Sequence, residues 1–445
     1  MASDDADLGA VWLTLEGAAR RQIDAGLPDG PLAGVPFALK DLGIQLAGAP
    51  TTNGSRYFAD ATPTTNSVLT DRYLAVGLVI AAKLSTSEFG LGPSADTDLH
   101  PATRNPWDPA RIPGGSSTGS AVAVAARLLP IVHASDGGGS IRIPAACCGQ
   151  FGFKPSRGRI TYAPAVEGWS GMSTQHAISR SVRDSALVLD LTAGGLPGDP
   201  YACPPPATSM VVAAATPPRR MRIAAHLEPI TGGTPDPEIA AAWRRACELL
   251  EALGHEVVIE APPVHLDEVA ALYGVITSAA VLSMIEDRQR EVGRPPADDE
   301  LLAVTRALAE RGASHRAVDL QRARDACFRA ARQLAAFTER FDAVMCPTVF
   351  ELPPAHGVID QRSADVDGYL AAAFRFAPYT APSSIAGQPA MTIPFERTAH
   401  GLPIGMHVST RFADEHVLFR LAGQLEHTIN WSAWRPDNPH GRVAS

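Results

Sequence analysis

The sequence predicts an α/β fold: one large domain whose central mixed β-sheet is flanked on both faces by α-helices. Three observations carry this reading. Helical and strand-like segments alternate from the N-terminus onward, the pattern of a sheet covered on both sides. A strand–helix–strand unit recurs at 222–259, which demands a parallel crossover. The 445 residues are 45% hydrophobic, enough to bury a large core, and show no internal repeats and no clear break into independent units. Residues 1–445 therefore read as one domain.

Taken in order, residues 9–24 read as a helix, with Val11, Leu13, Leu15, Ala18 and Ala19 on its apolar side and Pro28 and Gly30 stopping it. Gly34-Val35-Pro36-Phe37-Ala38-Leu39-Lys40-Asp41 reads as a short buried strand running into a loop. A helix over 65–76, a strand over 78–82 and a helix starting at 85–91 follow. Pro106, Pro109 and Pro113 make the next approach extended. A small-residue helix at 120–129 and a strand at 129–132 come next, and a proline-rich connector spans about 197–218. Beyond it lie a strand at 222–225, a helix at 237–252 ended by Gly254, and a strand at 257–259. Two or three helices fill 266–340. Strands at 342–345, 391–394 and 404–408, the last two paired around Gly401, precede a final helix at 418–426.

Charged residues are 19% of the chain and the net charge is −9, with no basic patch, which argues against a nucleic-acid partner. Cys147, Cys148, Cys203, Cys247, Cys327 and Cys346 form no CxxC pair, so no zinc or redox motif is suggested, and free thiols fit a reducing cytosol. Asp4, Asp5 and Asp7 stand where a signal peptide would be basic. The apolar run 121–134 is broken by Arg127 and Pro130, too early for a membrane span. The expectation is a cytoplasmic protein without membrane, metal or cofactor.

Two glycine-serine loops flank the small-residue helix: Gly114-Gly115-Ser116-Ser117-Thr118-Gly119-Ser120 and Ser135-Asp136-Gly137-Gly138-Gly139-Ser140. Glycines let backbone amides converge on one point, and a serine beside them supplies a nucleophile. The amides of Gly137, Gly138, Gly139 and Ser140 would form an oxyanion hole. The same run also suits an ordinary glycine turn. Ser140 would need a base. His133 and Asp136 are sequence neighbours, whereas triad members come from separate loops. The remaining base is Lys40. Lysine occurs only at 40, 83 and 154, against 35 arginines. Arginine cannot serve as a base, so a lysine here is either functional or a survivor of codon bias. Neutralising a lysine at pH ~7 requires roughly 4–5 kcal/mol, part of which burial can supply.

These segments resemble the amidase signature family. The resemblance runs through Gly114 to Ser120 and Ser135 to Pro155. It includes Lys83-Leu84-Ser85-Thr86-Ser87-Glu88-Phe89, Gly387-Gln388-Pro389-Ala390 and Gly401-Leu402-Pro403-Ile404-Gly405. It implies the amidase signature fold, with Lys40 as catalytic lysine, Ser116 as a bridging serine after a cis peptide bond, and Ser140 as nucleophile. The implied activity is hydrolysis of a small-molecule amide or carbamate by a monomer or homodimer. Thr118 replaces the family's usual glycine, Gly137 its usual Thr or Ile, and the chain before Lys40 is short. The Ser-Asp-Gly-Gly-Gly-Ser variant resembles members acting on synthetic amides such as cyclic amide dimers, and urethanase-like, carbamate-cleaving relatives. The loop at 164–175, with Trp169 and Met172, is either a substrate pocket or an ordinary surface loop. Arg157 and Arg159 either border that pocket or are solvated.

Three rival readings differ in kind. Gly115-Ser116-Ser117-Thr118-Gly119 fits the GxSxG elbow with Ser117 as nucleophile, but prolines rather than a strand precede it. The family also supplies an amidotransferase subunit that works with partner chains. A non-catalytic binding protein would not need all three polar positions. A P-loop is excluded, since no Lys-Ser/Thr follows the glycines.

Overall fold

The first apolar run is a strand, not the start of a helix. In the computed structural model, which describes residues 7–94, 96–264 and 266–437, β1 (Val11–Thr14) pairs antiparallel with β3 (Val79–Leu84). β2 (Pro36–Lys40) lies parallel on the other edge of β3, giving a three-stranded sheet. The helix expected over 9–24 is only α1 (Glu16–Asp24). Over so short a stretch, Val11, Leu13 and Leu15 satisfy strand alternation as well as a helical stripe, and pairing with β3 decides the matter. α2 (Val68–Ala75) follows the expected pattern.

The second sheet holds eight strands: β4 (Ile131–Asp136), β5 (Phe151–Lys154), β6 (Thr174–Ser179), β7 (Arg222–Ala225), β8 (Glu256–Ile259), β9 (Ala343–Pro347), β10 (Ala390–Arg397) and β11 (Pro403–Ser409). Their order is β4-β6-β5-β10-β11-β9-β7-β8. The strands from β4 to β9 pair antiparallel, whereas β9, β7 and β8 are parallel, so the sheet is mixed. Every residue of β4 is buried. Ile131 joins a cluster with Phe151 and Phe419, while Val132 and Ala134 join Ala121 to Ala126 on the opposite side. Successive strand side chains point to opposite faces, so both faces are covered.

The helices are α3 (Thr118–Ala125), α4 (Arg142–Cys147), α5 (Val182–Thr192), α6 (Met210–Ala214), α7 (Pro237–Ala252), α8 (Leu266–Val292), α9 (Ala303–Ser314), α10 (Ala317–Thr338), α11 (Val366–Phe376), α12 (Ala381–Ala386) and α13 (Glu415–Ile429). α7 shows local sequence logic. The Asp236 carboxylate accepts the Glu238 N–H at 2.8 Å, Pro237 opens the helix, and Ile239, Ala242, Trp243, Ala246 and Leu250 are buried.

Four local expectations change. The helix expected from 85–91 is a single 3₁₀ turn, Glu88–Gly90, with Phe89 at φ +51°. Its polar side chains are committed elsewhere: the Ser85 hydroxyl to the Gly9 carbonyl at 2.7 Å, and the Glu88 carboxylate to the Leu302 N–H at 3.0 Å and the Thr305 hydroxyl. α3 ends at Ala125 rather than at 129, and Arg127 turns left-handed at φ +61°. The strand expected at 129–132 runs on to Asp136. The stretch 197–218 contains α6, whose start the Asp190 carboxylate binds through the N–H groups of Met210 and Val211. The large sheet draws strands from both sides of that stretch, so it divides nothing. Within α8, Val269–Val292 is long and apolar enough to cross a membrane. In this fold its Val269, Leu272 and Ile276 cluster with Ala323, Cys327 and Leu334 of α10.

Candidate active site

Lys40 ends β2 and is wholly buried after Phe37, Ala38 and Leu39. Its ammonium donates to Ser116 Oγ at 2.8 Å and to Ser135 Oγ at 3.0 Å. Burial lowers its pKa to about 7, against the opposing pull of Asp136. Ser116 precedes α3 and is itself buried, with its carbonyl accepting from the Thr86 hydroxyl at 3.0 Å. The Gly115–Ser116 peptide is cis. Ser135 is a partner that sequence reasoning passed over. It stands in the quoted glycine-serine run, but only the direction of β4 shows that it faces Lys40.

The segment from Ser135 to Arg142 is folded by a buried ion pair. Burial alone would raise the Asp136 carboxyl; Arg142 overcomes this and holds it at about 2. The guanidinium meets both carboxylate oxygens at 2.8 Å, and the same carboxylate accepts the Ile141 N–H at 3.1 Å. Arg142 also donates to the Thr380 carbonyl and to the hydroxyls of Ser383 and Ser384. Between the two charges, the chain has no choice but to loop out through the glycines.

The loop's carbonyls are pinned. Tyr273 OH donates to the Gly137 carbonyl at 2.7 Å, the Thr380 hydroxyl to the Gly138 carbonyl at 2.5 Å, and the Ile143 N–H to the Gly139 carbonyl at 2.7 Å. In a trans peptide the N–H points away from the C=O it adjoins. The N–H groups of Gly138, Gly139 and Ser140 therefore turn to the other side, where among the described residues they meet no protein acceptor. Gly139 sits at φ +138°, and a Cβ there would strike the Thr380 hydroxyl.

Ser140 is half-buried and borders two cavities, of about 550 and 460 Å³. Ser116 and Ser135 line the smaller one with it. Trp169 lines both, and Glu167, Gly168 and Ser173 from the same loop line the smaller together with Gln175 of β6. The structure brings neither Met172 nor Arg159 to either cavity. Met172 is fully buried in the cluster with Tyr273 and Leu334. Arg159 is locked to Glu415 at 2.9 and 2.7 Å. Arg157 is not solvated either: it is buried and donates to the carbonyls of Gly171 and Ile385. Tyr273 and Thr380, which shape the loop, lie more than a hundred residues away, and no local pattern marks them.

The rival groups are placed elsewhere. The Ser117 hydroxyl is buried and donates to the Ser135 carbonyl at 3.2 Å. His133 is buried against Gln175 at 3.1 Å, and burial holds it well below the usual histidine pKa. Thr118 fits its position by donating to the Ser85 carbonyl at 3.1 Å. Lys83 is paired with Asp41 at 3.1 Å, and Lys154 donates to the Pro155 carbonyl at 3.1 Å. Among the described residues no group of three or more His, Cys, Asp or Glu is arranged to hold a metal.

Comparison with known proteins gives this geometry a lineage. The sequence model of the family described as Amidase matches residues 10–419. The 6-aminohexanoate-cyclic-dimer hydrolase of Paenarthrobacter ureafaciens is 33% identical over 461 aligned residues, covering 98% of this chain and 91% of that protein. A solved structure of 6-aminohexanoate cyclic dimer hydrolase superposes with a TM-score of 0.91 at 31% identity, covering 98% of this chain and 92% of that one. A bacterial aryl acylamidase of the amidase signature family superposes at 0.87 with 23% identity, covering 99% and 93%, which is likeness of fold. With the family's model spanning nearly its whole length, this chain belongs to the amidase family and is a hydrolase of amide carbon–nitrogen bonds.

Proposed function

We propose that this chain cleaves small-molecule amides through a Lys40–Ser116–Ser140 relay and an acyl-enzyme on Ser140. Neutral Lys40 takes the proton of Ser116 as Ser116 takes that of Ser140. Ser140 Oγ bonds to the substrate carbonyl carbon, and the oxyanion is held by the N–H groups of Gly137, Gly138, Gly139 and Ser140. The carbon–nitrogen bond then breaks. The nitrogen receives a proton from Ser116, which Lys40 replaces. A water gives its proton through Ser116 to Lys40 and attacks the ester carbon; as the ester bond breaks, Lys40 returns that proton through Ser116 to Ser140 Oγ, and the acid departs.

One observation carries the reading: a fully buried lysine, brought to about pKa 7 by burial, hydrogen-bonded at 2.8 Å to Ser116, which lines the same cavity as Ser140. A base near neutrality is the efficient one at neutral pH. The substrate is a small amide, with anilides, carbamates (urethanes) and esters within reach of the same attack. Trp169, which lines both cavities, contacts it. The chain works in the cytoplasm as a monomer or homodimer, without nucleic acid or membrane. The test is the purified chain alone on a nitroanilide, an aryl carbamate and a primary amide. Turnover with a burst of amine release supports the reading. Turnover only after a partner chain is added transfers it to the amidotransferase alternative.

A further inference from the structure

The two cavities differ in a way the relay makes meaningful. They share Gly90, Ser140 and Trp169. Ser116 lines only the smaller, together with Tyr162, Glu167 and Gln175. Leu308, Leu370 and Phe374 line only the larger. Between the two stands the Trp169 indole, on a backbone held left-handed at φ +53° for both Trp169 and Ser170. A Cβ added to Gly137 would lie 2.7 Å from Trp169 Cε3 and 3.0 Å from Cζ3. The indole therefore fills the volume that a side chain at 137 would need. Retreat of the loop is opposed by the hydrogen bond that ties the Gly137 carbonyl to Tyr273.

We propose that Gly137 and Trp169 form a matched pair that divides the site into an acyl chamber of about 550 Å³ and a leaving-amine chamber of about 460 Å³. The assignment of sides rests on the relay proposed above. Ser116 must hand a proton to the departing nitrogen, so the amine leaves into the chamber that Ser116 lines. The acyl group then occupies the apolar chamber of Leu308, Leu370 and Phe374, which suits an aliphatic or aryl acyl chain. The amine fragment meets a mixed wall, in which Phe89, Ile276 and Met284 stand beside Tyr162, Glu167 and Gln175, and this suits an amine that joins an apolar body to a hydrogen-bonding group. The indole limits how far either fragment reaches across, so it sets specificity for both.

The test is a double-mutant cycle with kcat/KM measured on p-nitroanilides of rising acyl length and on amides of one acid with rising amine size. Gly137→Ala is expected to lose about 10-fold or more, because the added methyl drives the indole or the loop out of place. Trp169→Ala alone is expected to reduce the discrimination between small and large amines by about 10-fold. Gly137→Ala/Trp169→Ala is expected to recover most of what Gly137→Ala loses, since the obstructed ring is gone. Losses that simply multiply in the double variant would overturn the pairing. Should Gly137→Ala not fold, Leu370→Trp reads the chambers independently. It narrows only the larger one, so kcat/KM should fall about 10-fold for long acyl chains and stay level for acetyl. A loss that follows amine size instead would overturn the assignment. An active Ser140→Ala would sink the relay itself; an inactive Ser140→Ala with a multiplicative cycle sinks the pairing alone.

Discussion

Two buried basic side chains feel the Asp136 carboxylate, and their surroundings treat them in opposite ways. Arg142 meets Asp136 through two nitrogens and spends its other donors on Thr380, Ser383 and Ser384. Among the described residues Lys40 hydrogen-bonds to no more than the hydroxyls of Ser116 and Ser135, and burial takes it down to about 7. Hydroxyls solvate an ammonium poorly compared with a carboxylate that forms paired, charge-assisted bonds. One cation therefore stays an ion and holds the loop's shape. The other is poised to lose its proton. The remaining lysines show the intermediate cases: Lys83 keeps a carboxylate partner in Asp41, and Lys154 donates to the Pro155 carbonyl.

The comparison can be broken at several points. The largest expected effect is on the nucleophile: Ser140→Ala should lower kcat/KM by about 10⁴-fold or more with an unchanged unfolding midpoint. Lys40→Arg comes next. It restores a permanent cation where a neutral base is needed, so kcat should fall by about 10³-fold, whereas wild-type-like turnover would contradict the relay. On the structural side, Arg142→Met leaves Asp136 charged and unpaired in the core. It should cost about 3–5 kcal/mol in denaturant unfolding, and adding Asp136→Asn should return a good part of it.

The pH dependence separates the two sites more gently. The activity limb should fall as pH drops through about 7, because Lys40 becomes protonated there. Stability has its own window. Lys40 and Lys154 are both lowered from 10.5 to about 7 by burial, so between these values the unfolded chain binds more protons than the folded one. Their contribution makes stability rise with pH across that window. Lys154→Met should flatten part of that rise in unfolding measured from pH 7 to 9. It should also give the smallest change in activity, within about twofold, since a side chain of similar length replaces a lysine that donates to the Pro155 carbonyl.

Much of the site was legible because its chemistry is local. Lys40, Ser116 and Ser140 each sit in a short run of unusual composition, and the rarity of lysine pointed to the first. The loop at 164–175 stood out for the same reason, with Trp169 in it. What escaped was the direction of side chains. Met172 and Trp169 lie three residues apart, yet one packs in a core cluster and the other edges both cavities. Arg157 and Arg159 read either as bordering the pocket or as solvated, and each instead found buried carbonyls or a carboxylate in segments distant in sequence.

By itself the sequence determined the α/β class, the three polar residues offered for catalysis and the glycine loop between them, because propensity, turn chemistry and residue rarity are properties of neighbours along the chain. Tertiary structure alone decided that Val11–Thr14 is a strand, that Ser135 joins Ser116 at Lys40, and that Tyr273 and Thr380 pin the carbonyls of the glycine loop. It also decided that Gly137 leaves room for an indole. These depend on contacts between segments far apart in sequence, and the burial that lowers Lys40 exists only once those segments have closed around it.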